Sequence, residues 1–110
     1  MASHIPEKDW KKLRSLQDEA IQAVCDRVFD KVNELMQSKG TDSYGAYKRL
    51  WQLLKREDKQ IALMFDDLKR STAVFKLAMW RQNGLLSDAD VNELSESTQK
   101  SIAAICESRD

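Results

Sequence analysis

The sequence predicts an all-α protein, an elongated antiparallel bundle of three long helices, on three observations. Apolar residues recur at steps of three and four along most of the chain, the few Gly and Pro residues fall where helices would begin or end, and no stretch alternates with the period of a strand. The chain of 110 residues, with 42% hydrophobic and 33% charged residues, is sized for a single domain, residues 1–110, with one core, and is too apolar to be disordered.

The first helix is expected over about residues 6–39. Pro6 suits a first turn, where its missing N–H costs nothing, and Gly40 suits a left-handed C-terminal cap. Between them Trp10, Leu13, Leu16, Ala20, Ile21, Val24, Val28, Val32, Leu35 and Met36 form one apolar stripe. At 1.5 Å per residue such a helix is roughly 50 Å long, more than a compact domain of this size requires, so an elongated shape follows.

The second helix is expected over about residues 42–83, after the cap candidates Thr41, Asp42 and Ser43 and before Gly84. Its seam reads Tyr44, Tyr47, Trp51, Leu54, Asp58, Ile61, Phe65, Leu68, Thr72, Phe75 and Met79, a heptad spacing in which only Asp58 and Thr72 are polar. No Gly or Pro interrupts it, which favours one continuous or kinked helix. Asp58 can also cap a new helix, and a break there would make the bundle four-helical.

The third helix, about residues 87–107, has the clearest start signal. Ser87 and Asp90 have capping-box spacing, with Leu86 and Val91 at the hydrophobic-staple positions. Val91, Leu94, Ile102 and Ile105 form its stripe, interrupted by Thr98.

Several chemistries find no support. His4 is the sole histidine and precedes the first helix, so no histidine-based triad or metal site can be assembled, and His4 reads as incidental. Cys25 and Cys106 are far apart and outside any Cys-x-x-Cys pair, and read as small buried hydrophobes. Asp88, Asp90 and Asn92 begin like a calcium loop, but Glu93 and Gln99 occupy the positions that need Gly and Glu. Asp66 and Asp67 read as part of a solvated mixed-charge face beside Lys69 and Arg70. No glycine-rich phosphate loop exists. No catalytic, cofactor-binding or metal-ligating residues are therefore assigned, no cofactor is expected, and catalysis is not the expected activity.

The formal net charge is zero, from 18 basic and 18 acidic residues, which disfavours blanket binding to nucleic acid or anionic membrane. Residues 41–83 hold nine basic against five acidic side chains, and residues 84–110 two against six, a pattern that complementary helices of one bundle explain. The longest apolar runs are too short to span a bilayer, so no membrane association is expected. The N-terminus carries charges where a signal peptide needs an apolar run, making a cytoplasmic location the expectation.

What remains is association. A short third helix cannot cover both long stripes, so the sequence predicts a self-associating helical interaction or regulatory module, most simply a homodimer, with a different protein partner as the other possibility. Trp51, Phe65, Phe75, Met79 and Trp80 are the expected interface anchors, because aromatic and Met side chains dominate interface cores. Trp80 can alternatively complete an internal core with Leu85 and Leu86. A second reading is a nucleic-acid-associated factor using the basic face formed by Lys48, Lys55, Lys59 and Arg70, although nucleic acid is not the expected partner. A third is a small helical enzyme. A long helix followed by two others, with Arg14, Arg27, Lys39, Arg56, Glu57 and Gln99 as residue types suited to a dianionic substrate, resembles the small helical chorismate mutases in outline. The spacings depart from that family's pattern.

Overall fold

The computed structural model of the protein describes residues 5–108. His4, Arg109 and Asp110 lie outside the described residues. The described chain is all-helical, with α1 (Glu7–Gln37), α2 (Ser43–Phe65), α3 (Ala73–Gln82), α4 (Asp88–Asn92) and α5 (Glu96–Ser108). Five helices thus stand where three were expected. The molecule measures 55 × 25 × 24 Å, with a radius of gyration of 16.9 Å. A compact chain of similar length has about 13 Å, so the elongation expected from α1 is present.

Helix α1 runs unbroken and packs antiparallel to α2. The expected second helix continues through Asp58 and instead ends at Phe65. There Asp66 is extended and Asp67 takes a left-handed φ of 57°. The turn is fastened by Thr72, whose hydroxyl donates to the carbonyl of Asp67 at 2.8 Å and accepts from the amide of Lys69 at 3.2 Å. Two carbonyls left open at the end of α2 find donors on α3. Lys76 Nζ donates to Leu63, and Trp80 Nε1 to Met64 at 2.9 Å. The helix breaks without Gly or Pro because side chains further along satisfy the backbone it leaves unpaired.

Helix α3 then lies back along the bundle. Trp80 is fully buried, with its ring 5.2 Å from that of Phe65. Helix α3 closes in a Schellman motif, in which Leu85 N–H donates to Trp80 and Gly84 N–H to Arg81, with Gly84 at the φ of 71° the motif demands. The guanidinium of Arg27 on α1 donates to the carbonyls of Asn83 and Gly84 beyond it.

The expected third helix starts as its capping box requires, with Ser87 and Asp90 bonding reciprocally. It stops after one turn, and α5 begins past Ser95. The reason lies on α1. Asp9 is fully buried and accepts from Ser95 N–H at 2.9 Å, Ser95 Oγ at 2.6 Å and Thr98 Oγ1 at 2.6 Å. A carboxylate in the first turn of α1 therefore organises the start of α5, where partial positive charge favours it. Thr98, which interrupts the apolar stripe in sequence, is its hydrogen-bond partner.

The main core joins Leu13, Ala20 and Val24 of α1, Met64 and Phe65 of α2, Leu77, Ala78 and Trp80 of α3, and Ile102 of α5. Cys25 and Cys106 are half-buried at its margin. On α1 this core goes no further than Cys25, and on α2 it begins at Ile61. The remainder of both helices projects as a two-helix hairpin.

Two substitutions separate Thr72 from Asp58, the polar members of the sequence seam. Thr72→Leu removes the fastening of the α2–α3 turn and should cost about 1–3 kcal/mol. Asp58→Leu removes no hydrogen bond or ion pair within the described chain and should keep or raise stability, both read by urea unfolding. Burial raises the pKa of Asp9, but hydrogen bonds from Ser95 and Thr98, with the charge of Lys8, outweigh it and hold the group below its ordinary value of 3.8. Stability contributed by a depressed carboxylate is fully present above its unfolded pKa and is lost as pH falls through the folded one. The stability difference between the parent and Asp9→Asn should therefore be constant through neutral pH and shrink below about pH 4.

Candidate functional site

Of eight large apolar side chains exposed in the described structure, five, Phe29, Met36, Tyr47, Trp51 and Leu54, stand on one side of the projecting hairpin, while Tyr44, Leu63 and Phe75 lie elsewhere. Helix α2 has apolar residues in adjacent pairs: Ala46 with Tyr47, Leu50 with Trp51, Leu53 with Leu54. At 100° per residue, one member of each pair faces α1 and the other lies beside it, so the apolar arc is wide enough for two neighbouring helices. Only α1 is there. Ala46 and Leu53 are buried against it, whereas Tyr47 is 57% and Trp51 52% exposed.

Helix α1 adds to the same side. Lys31, Glu34, Leu35 and Ser38 line one flank of the hairpin with Arg49, Gln52 and Arg56. Val28 lines the opposite flank with Trp51, Leu54, Asp58 and Ile61, around a shallow groove of about 340 Å³. Helical rotation places Phe29, Val32 and Met36 on this second flank, where Phe29 is 67% and Met36 50% exposed. The result is an apolar strip along both helices, interrupted by Asp58.

The expected anchors separate into three groups. Trp51 stands on the strip. Phe65 and Trp80 are buried in the chain's own core, and Met79 is half-buried against it. Phe75 is 46% exposed, but on α3, away from the hairpin. Phe29 is not among the expected anchors, because the α1 stripe runs through Val28; the adjacent Val28-Phe29 pair carries the same signal as the doubled positions of α2.

The basic face is also divided. Lys48, Lys55 and Lys59 are exposed along α2, and Lys48 Nζ lies 4.7 Å from the Tyr44 ring centre. Arg70 falls in the turn beyond α2, pairs with Glu7 at 3.0 Å and stacks over Trp10 at 5.2 Å. The residues suited to a dianion make separate local contacts. Arg27 meets the end of α3, Glu57 pairs with Lys31 at 3.0 Å, Lys39 donates to Gly40 and Ser43, and Gln99 donates to Leu94. Arg14 lies over Trp10. Arg56 lies 3.8 Å from Glu57.

Among the described residues, no group of three or more His, Cys, Asp or Glu side chains is placed to hold a metal ion. No buried side-chain polar atom there lacks a hydrogen-bond partner. No described helix is long and apolar enough to cross a membrane. Compared with known protein families, curated proteins and solved structures, the chain shows no match.

Three lysines without Arg70 make a thin electrostatic footprint. Binding of RNA or duplex DNA should be weak at about 0.15 M salt and vanish as salt rises. A tight complex at that salt, abolished by Lys48→Glu, Lys55→Glu and Lys59→Glu together, would make the row a nucleic-acid site.

Proposed function

We propose that this protein is a helical protein–protein interaction module that self-associates through the apolar strip of the α1–α2 hairpin, most simply as a homodimer in the cytoplasm. The observation that carries this reading is the doubled apolar pattern of α2 beyond the core. Such a pattern suits a helix with two neighbours, and this stretch has one. The half-exposed Phe29, Met36, Tyr47 and Trp51 leave on the order of 400–500 Å² of side chain on one face, at the upper end of what monomeric proteins expose. A cytoplasmic setting agrees with two cysteines that are both free.

The base of the molecule supports the same division of labour. Its core is closed by α3 and α5, its buried carboxylate is paired and the start of α4 is capped by Ser87 and Asp90, so most of the large apolar side chains left exposed belong to the hairpin.

Light scattering at micromolar concentration should return twice the chain mass of 12.7 kDa. Phe29→Glu combined with Trp51→Glu should return a single-chain mass with the helical circular-dichroism signal intact, since both side chains are already exposed in one chain. A single-chain mass for the unsubstituted protein contradicts self-association.

A further inference from the structure

We infer that the occupant of the strip is a second copy in one particular arrangement. Helix α1 of each copy packs against α2 of the other, the twofold axis runs parallel to the helices, and the two hairpin tips lie at the same end. The inference rests on the self-association reading and adds to it the pairing of helices and their register.

The borders of the strip supply the argument. On α1 the outer border carries Asp30, one residue beyond Phe29, and Asp26, about one turn before Asp30 on the same face. On α2 the outer border carries Lys55 and Lys59. All four side chains are exposed, and none makes an ion pair within the chain among the described residues. The acidic and basic borders face away from each other across the hairpin, so they cannot meet within one chain.

Stacking two hairpins face to face leaves two choices. Placing α1 on α1 sets Asp26 and Asp30 against their own copies and lysine against lysine, a like-charge juxtaposition that disfavours it. Placing α1 on the other copy's α2 sets acid against base on both sides, and every neighbouring pair of helices is then antiparallel, as in an up-and-down four-helix bundle.

The register agrees. Within one hairpin Val28 shares a groove with Leu54 and Asp58, and Leu35 shares one with Arg49 and Leu53. A twofold axis parallel to the helices preserves these heights. Asp30 of one copy therefore comes level with Lys55 of the other, and Asp26 with Lys59.

Charge exchange tests the arrangement. The dimer dissociation constant is measured by sedimentation for the parent, Asp26→Lys with Asp30→Lys, Lys55→Asp with Lys59→Asp, and all four substitutions in one chain. Each double reversal should weaken the dimer about tenfold or more, and the fourfold variant should return to within about threefold of the parent. Reversals without effect, or a fourfold variant weaker than either double, overturn the pairing. If the dimer ignores these charges yet dissociates with Phe29→Glu and Trp51→Glu, the strip is still the interface and only the arrangement fails. A parent that sediments as a single chain removes the second copy altogether.

Discussion

The fold depends on how α2 is brought to an end. A helix that stops must leave its last carbonyls without intrahelical partners, and burying them unpaired is costly. Here Lys76 and Trp80 reach back from α3 to the carbonyls of Leu63 and Met64. The indole N–H of a fully buried tryptophan also needs an acceptor, so the two requirements meet in one hydrogen bond. That bond places α3 over the end of α2, sets Trp80 against Phe65, and leaves the other side of α3 to receive α5. Asp9 completes the circuit by tying the first turn of α1 to the first turn of α5.

Ending α2 at Phe65 also decides what is left uncovered. Were the chain to continue as one helix through residue 82, α3 could not return, and the base would lack its central Trp80. Because it returns, α3, α4 and α5 gather at one end of α1. No element is left to cover the hairpin from Val28 to the tip and back to Asp58. A closed base and an open hairpin are thus two consequences of the same turn. The hairpin's buried residues, Val28, Ala46 and Leu53, are held by a single helix–helix seam, so its tip should open at lower free energy than the base.

Much of the architecture is legible in the sequence. The α1 stripe, the Ser87–Asp90 capping box and Gly84 each act locally, and local signals survive translation into structure. The break at residues 66–72 is not legible in this way, because the heptad spacing from Phe65 through Leu68 and Thr72 to Phe75 runs across it. Its causes lie up to 16 residues along the chain, in Trp80 reaching Met64, and no periodicity reports them. The split after Asn92 has a still more distant cause, since Asp9 and Thr98 are 89 residues apart. The surface proposed as the interface is half legible. The seam from Tyr44 to Asp58 reads as apolar, but the residues facing α1 are its neighbours Ala46, Leu50 and Leu53, and the seam itself is the outer row. Adjacent apolar pairs, rather than the single best stripe, were the informative signal. Phe65 and Trp80 carry the residue types of interface anchors, yet residue type does not distinguish an interface from a core, which obeys the same packing rules.

An exposed apolar strip invites indiscriminate association, and the features around it bear on how that is limited. A head-to-tail contact between different patches propagates into filaments, whereas a patch that is its own complement closes at two copies. In the proposed pairing the strip is self-complementary because one border is acidic and the other basic, so a twofold rotation exchanges them. Sliding one hairpin along the other would move Asp30 off Lys55 and Asp26 off Lys59. Asp58 is the polar residue that interrupts the otherwise apolar strip. Single polar positions in helical seams are known to fix register at some cost in stability, and the placement of Asp58 beside Val28, Trp51 and Leu54 fits that use. The apolar side chains would then supply the attraction, and Asp26, Asp30, Lys55, Lys59 and Asp58 would determine which one of many greasy alignments is adopted.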